Sequence, residues 1–346
     1  MASTPTIGAN WRRISVPSSG VGRRLDKFLQ DHFVNLSRNL IFKWLRERRI
    51  KVDGVGIMQP NYRLTHQDYE ITIPRATAVY VRPPRPQGPK SENVISSWML
   101  YDDDHIMAFN KPPDIAVQGG DGIDISIDKL VRQLDCVETP RLVHRLDQDC
   151  SGLIVLAKTL DAASHLSAQF KNREVKKSYL AVVEGQPHRH ASKTWISTVS
   201  TVVKAKSREG FERMVPVSRL EGTKHVALDG ESPRMCETRW RYVSREGTSF
   251  LLELFPRTGR KHQLRSMCAF DIGSPIVGDN KYDGASCARL MLHSFSMTFK
   301  HPDPKLGHFA IHAPVSESFV SVCADRHIDI PGQYFRKYGQ LAEFKY

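Results

Sequence analysis

Between Arg141 and Lys158 the chain reads RLVHRLDQDCSGLIVLAK, and the polar half of this stretch holds the residues best suited to chemistry. Asp147 follows His144 and Arg145 closely enough for cationic neighbours to keep a carboxylate ionised and aimed, as a nucleophile or a base requires. The same spacing suits a plain Arg145–Asp147 loop salt bridge, and these residues alone leave both readings open. Two other stretches carry reactive side chains. Tyr179, in KKSYLAVVEG, reads by itself as a strand tyrosine with a wet hydroxyl. His262 and Arg265, in RTGRKHQLR, sit three apart and share one face of a helix, which could equally be a solvated basic turn.

These residues need rigid supports, and the flanking patterns supply them. Leu153 to Ala157 is a short, wholly apolar run, the pattern of a strand buried on both faces, so the knot from His144 to Ser151 is a loop on the end of a core strand. Leu160 to Arg173 carries Ala163, Leu166 and Phe170 at helical spacing. Lys176 to Gly185 alternates as a strand, with Tyr179, Ala181 and Val183 on one side. Ser249 to Phe255 is another strand, leading through a turn at Gly259 into a helix that Gly273 and Pro275 end. The acids Asp102, Asp103 and Asp104 precede a strand without further metal ligands in view, and a hairpin turn is the better reading. Strands without regular βα alternation predict an α+β fold.

The front of the chain is different. Ser37 is a suitable N-cap for a helix through Arg49, with Leu40, Ile41, Trp44 and Leu45 on one arc and Arg38, Lys43, Arg46 and Arg49 on the other. One arc packs and the other is placed to meet phosphates, although a solvated basic face has the same pattern. Residues 75 to 93 are basic and Pro-rich, a semi-extended linker. The first 25 residues hold Arg12, Arg13, Arg23 and Arg24 and no acid, which suits a flexible start or the remnant of a transit signal. Over 346 residues, 50 Lys and Arg oppose 37 Asp and Glu, a net charge of +13 that suits a polyanionic partner without choosing among RNA, DNA and an anionic membrane. No apolar run approaches the roughly 20 residues that span a bilayer. The six cysteines form no C-x-x-C pair and no paired spacing with His, against structural zinc and a disulfide framework, and a reducing compartment follows.

HRLDQDCSGLIVLAK resembles the catalytic motif of the RluA family of RNA pseudouridine synthases, with Cys150 where most members carry Thr. Three further segments match that family in order: DDDHIMAFNKP, KKSYLAVVEG and TGRKHQLR with GSPIVGDNKYDG, Lys261 replacing a Thr. The stretch RLDKFL with LSRNLIFKWLRERRIKVDG is similar to the S-four-type RNA-binding module often fused in front of such enzymes. The resemblance implies a pseudouridine synthase fold, a long mixed and mostly antiparallel sheet with a central cleft, behind a small N-terminal α/β RNA-binding module. It divides the chain into a flexible 1–22, the RNA-binding module 23–74, the linker 75–93, the catalytic domain 94–325 and a tail 326–346. It further implies that Asp147 is the catalytic carboxylate, attacking the ribose or taking a proton from it, with its pKa lowered by a paired Arg265. Tyr179 would stack on the target base, Leu264 would line the pocket, and His144 and Arg145 would face the RNA, Arg145 filling the space of an extruded nucleotide or bracing Asp147. Isomerising uridine imports no group and changes no oxidation state, so no cofactor and no metal are expected. The expected partner is RNA, with ribosomal RNA favoured by the VQGG segment and the front module, transfer RNA as the alternative, and ribosomal or pre-ribosomal particles as its setting. No membrane partner is expected. The VQGG segment and Cys150 resemble organellar members, so the expected location is mitochondrial, with plastid and cytoplasm as alternatives. The rival reading is a noncatalytic RNA-binding assembly factor on the same fold.

Overall fold

The computed structural model describes residues 11–335 apart from 18–19, 35, 37, 75–79, 82–91, 120–122, 124, 135–137, 187–192, 208–211, 221–224 and 229. The Ser37 cap, the Arg38 side chain, most of the expected linker and the end of the expected tail lie outside the described residues. The chain divides into two compact units, one of Met1–Pro86 with Lys206–Glu212 and Lys224–Val226, the other holding the remainder.

The first unit contains β1 (Trp11–Ser15), α1 (Leu25–His32), β2 (Phe33–Val34), α2 (Arg38–Arg46), β3 (Lys51–Val52), β4 (Val55–Gly56), β5 (Glu70–Pro74) and β6 (Tyr80–Val81). Its antiparallel sheet runs in the order β1-β5-β3-β4. Leu40, Ile41, Trp44 and Leu45 of α2 are buried with Leu25, Phe28 and Leu29 of α1 and Ile71 and Ile73 of β5, while Lys43 and Arg46 stay exposed. α2 is shorter than its basic pattern suggested. Arg48 takes a left-handed φ of 52°, and the amides of Arg48 and Arg49 donate back to the carbonyls of Leu45 and Trp44, a reciprocal stop that leaves Arg49 past the helix end. The expected flexible segment 1–22 is corrected in part. Trp11–Ser15 pairs residue for residue with β5, because Ile14 and Val16 complete the apolar layer.

The second unit carries α3 (Glu92–Ser97), β7 (Met99–Asp102), β8 (Ile106–Lys111), α4 (Ile127–Leu130), β9 (Arg141–Leu142), β10 (Ser151–Ala157), α5 (Leu160–Lys171) and β11 (Lys176–Glu184). β12 (Ile196–Ser207), β13 (Glu212–Pro216), β14 (His225–Ala227), β15 (Arg234–Glu246), β16 (Ser249–Pro256), α6 (Gln263–Ser266), β17 (Leu292–Lys300), β18 (His308–His312) and α7 (Glu317–Asp325) follow in the chain, with Lys206, Ser207, Glu212, His225 and Val226 counted in the first unit. The strands form a mixed, mostly antiparallel sheet of twelve, in the order β13-β12-β15-β16-β11-β17-β10-β8-β7, with β14, β18 and β9 off that path. Every residue of β10 is buried, as its unbroken apolar run requires. The acidic turn before β8 is a side-chain-capped hairpin, in which Asp103 Oδ1 accepts from the amides of His105 and Ile106 at 2.8 and 2.7 Å. The expected domain end at 325 falls short, since Ile328 and Tyr334 are buried in the main core.

Candidate active site

The site forms where the long sheet splits. β10 and β17 run parallel and share only the pairs Ser151–His293 and Gly152–Ser294. Gly152 has φ +105°, and a Cβ there would stand 2.2 Å from the Ser294 carbonyl oxygen, so only glycine lets the two backbones meet. Beyond that pair the strands part. β9 takes up Leu156 and Ala157 of β10, and the amide of Val155 between them donates to His144 Nε2 at 2.9 Å. The loop from Val143 to Cys150 therefore sits at the fork and lines a cleft of about 670 Å³.

Three anchors hold this loop. Lys111, buried at the end of β8, donates from Nζ to the carbonyls of Pro112, Ile115 and Gln148 at 2.9, 2.8 and 3.0 Å. Leu146 and Cys150 are buried in the core on either side of Asp147. The His144 ring stacks on Phe170 of α5 with centroids 4.9 Å apart. His144 was expected on the RNA side of the pocket. It lines the cleft, but Nε2 is committed to the strand, and burial lowers its pKa to about 3, so it is a neutral support. Burial pushes the Cys150 thiol up to about 12, and its Sγ donates to the Leu292 carbonyl, so it is inert packing at a position where a hydroxyl would also fit.

The helix after Gly259 delivers the cation. His262 caps α6 in a left-handed conformation (φ 51°), and the helix widens into a wider turn over Met267–Ile272 before stopping at Gly273. Arg265 is buried, with 3% of its side chain exposed. Its Nε and Nη2 both donate to Asp279 at 2.7 Å, and Nη1 reaches Asp149 at 3.2 Å and Asp147 at 3.8 Å. Burial opposes the guanidinium charge, and the Asp279 carboxylate overrides it, holding the pKa of Arg265 above its usual value. The expectation of a lowered Asp147 pKa is overturned. Burial pushes that carboxyl above the ordinary carboxylate value, Arg265 offsets only part of the rise, and Asp149 adds to it. The physical reason is that Asp279 takes the bidentate edge of the guanidinium and Asp149 its nearest remaining nitrogen. His262 Nε2 lies 3.9 Å from Asp147, and burial followed by repulsion from Arg265 lowers its pKa to about 2, so it stands there neutral.

Tyr179 projects from β11 opposite Leu254 and lines the same cleft, half buried; burial raises the pKa of its phenol, which stays protonated. Leu264 lines it too, and Arg145 is exposed at its edge with no ion-pair or hydrogen-bond partner among the described residues. The cleft thus brings together Asp147, Tyr179, Arg265, Leu264, His144 and Arg145. Lys43, Arg46 and Arg49 belong to the other unit, all exposed, with Glu47 4.0 Å from Lys43 and 3.5 Å from Arg49. Sequence reasoning missed Asp279, Asp149 and Lys111 as site residues. Asp279 stands in GDNKYDG and Lys111 in NKP, so both were visible as motif letters, but nothing in one dimension says which cation an acid will face.

A profile described as RNA pseudouridylate synthase matches residues 105–270, and one described as S4 domain matches residues 23–68. Ribosomal large subunit pseudouridine synthase C of Haemophilus ducreyi is 30% identical over 340 residues, covering 94% of this chain and 98% of that protein. Its namesake from Escherichia coli is 30% identical over 313 residues, covering 86% and 90%. Among solved structures, human RNA pseudouridylate synthase domain containing 4 superposes with a TM-score of 0.55 at 24% identity, covering 69% of this chain and 97% of that one, a likeness of fold. A cleft built from the HRLD loop on the split sheet, together with relatives matching nearly end to end, shows that the chain belongs to the RluA family of RNA pseudouridine synthases and carries an S4 domain at its front.

Proposed function

We propose that the chain isomerises uridine to pseudouridine in large-subunit ribosomal RNA, with Asp147 as its catalytic carboxylate. In the reaction the bond from ribose C1′ to uracil N1 breaks, one from C1′ to C5 forms, the C5 proton leaves and N1 takes one up, so nothing is imported. The target nucleotide is first extruded from its stack, at a cost of a few kcal/mol. Asp147 then attacks the ribose or removes a proton from it, both of which need the ionised form. Arg265 stands within reach through Nη1 to hold the negative charge, and Tyr179 faces the base, where stacking contributes about 1–3 kcal/mol. Arg145, unpaired at the cleft edge, fills the space the nucleotide leaves. The observation that carries this reading is the convergence on one cleft of Asp147, Arg265 and Tyr179, with further Lys and Arg on its walls.

The ribosomal target is supported by the relatives' names and by the front module, whose exposed Lys43 and Arg46 suit phosphates. A role in ribosome biogenesis and a mitochondrial location complete the reading; the latter rests on the likeness of the VQGG segment and Cys150 to organellar members, and the basic, acid-free first 25 residues, of which Trp11–Ser15 belong to the sheet, suit a transit remnant and a plain flexible start alike. The test is a site-resolved pseudouridine map of total RNA from cells with and without the protein, alongside cell fractionation. Loss of one or a few sites in large-subunit ribosomal RNA is expected; loss confined to transfer RNA would overturn the target, and a cytoplasmic or plastid protein would overturn the location.

A further inference from the structure

Lys177 stands two residues before Tyr179 on β11, so both side chains leave the same face about 7 Å apart, and both line the cleft. The other cations there with described partners are occupied by protein. Arg265 is held by Asp279, Arg257 lies 3.4 Å from Glu237, and Arg260 Nε donates to the Met235 carbonyl. Lys177 is half buried, and among the described residues no carboxylate or carbonyl engages its ammonium. Burial alone draws its pKa below the ordinary lysine value, with no acid near enough to compensate. A partly desolvated cation without a counter-charge is unfavourable, and the imbalance is removed when a ligand supplies the charge. The cleft of about 670 Å³ that Lys177 and Tyr179 line leaves room for that ligand. Gly259 lines the same cleft and adjoins the ammonium, with Nζ 3.6 Å from where a Cβ on it would stand, an ordinary contact distance.

We propose that Lys177 is an anion subsite of the cleft, its ammonium donating to a backbone phosphate of the RNA strand next to the base held on Tyr179. This rests on the pseudouridine synthase reading above and names a contact within it. The subsite holds the strand and takes no part in bond making, so its loss weakens RNA binding and KM far more than kcat.

The test compares wild type, Lys177→Gln and Lys177→Arg on an unmodified transcript of large-subunit ribosomal RNA, measuring binding at several salt concentrations, turnover and thermal unfolding. Lys177→Gln is expected to bind about tenfold more weakly, the size of one charge-assisted hydrogen bond, and to lower the slope of log affinity against log salt by about 0.7 to 0.9. Lys177→Arg should keep the slope. The melting temperature of Lys177→Gln should equal or exceed that of wild type, because an uncompensated charge has been removed. Unchanged affinity and slope in Lys177→Gln overturn the proposal, as does a lowered melting temperature with intact RNA binding, which would mark a structural lysine. Wild-type protein that binds the transcript yet forms no pseudouridine sinks the functional reading instead, while the salt slopes still decide the role of Lys177.

Discussion

Asp279→Asn separates the residue that holds the guanidinium from the residue that uses it. Arg265 and Asp279 are both buried, with 3% and 0% of their side chains exposed, and two hydrogen bonds of 2.7 Å join them. An asparagine keeps one acceptor and turns a donor toward the other guanidinium nitrogen, so one of the two bonds becomes a donor–donor clash and the charge loses its principal partner. Breaking a buried pair in this way costs about 3–5 kcal/mol. At roughly 2–4 °C per kcal/mol for a domain of this size, the melting temperature falls by about 6–20 °C. Released from Asp279, Arg265 can turn more of its edge toward Asp149 and Asp147, so the geometry at Asp147 changes and pseudouridine formation falls as well. The assay is thermal unfolding followed by circular dichroism, with turnover measured below the transition. Asp149→Asn is the control: its side chain is 41% exposed and only one nitrogen of Arg265 reaches it, so it should shift the melting temperature by no more than the order of 1 kcal/mol. An Asp279→Asn protein that melts within about 2 °C of wild type and keeps full turnover would refute the idea that Asp279 is the principal counter-ion.

Other outcomes follow from the same geometry. Asp147→Asn should abolish pseudouridine formation, retain RNA binding and raise the melting temperature at neutral pH, as turnover, filter-binding and unfolding measurements would check. The sign follows from burial: a carboxyl whose folded pKa is raised contributes stability below its ordinary 3.8 and loses it as pH rises through the folded value, so at pH 7 the ionised form is a burden. For the same reason the acid limb of kcat/KM should lie above pH 3.8. Neutral His144 and His293, whose pKa values desolvation lowers to about 3 and about 4, contribute stability that is present above pH 6.5 and lost as pH falls through those values. Denaturant unfolding at pH 7, 5 and 4 should show this, with His144→Asn flattening the dependence by about 1.4 kcal/mol per pH unit. Gly152→Ala should leave little soluble, folded protein, because the new Cβ would meet the Ser294 backbone at 2.2 Å; normal yield and unfolding would contradict the close approach of β10 and β17. Replacing Lys43 and Arg46 with Ala should weaken RNA binding and lower the salt slope by up to about 2 without altering the melting temperature.

Periodicity alone determined much of this protein. The apolar run in β10, the helical spacing of α5, the strand leading to Gly259 and the apolar arc of α2 each depend on neighbours in the chain, and each formed as patterned, although α2 stops at Arg46, before Arg49. The HRLD motif located the cleft, since a loop on the end of a doubly buried strand has few places to be. Trp11–Ser15 and the stretch holding Ile328 and Tyr334 depart from the sequence expectation because what orders them is a partner far along the chain, β5 in one case and the main core in the other. The electrostatics of Asp147 were decided by tertiary structure alone. Burial raises the pKa of Asp147, and Arg265, which meets three carboxylates 14, 116 and 118 positions away in sequence, approaches Asp279 and Asp149 more closely than Asp147 and offsets only part of that rise. Sequence specifies which charges are present; distance and desolvation, set only when the split sheet closes around them, specify what each charge does.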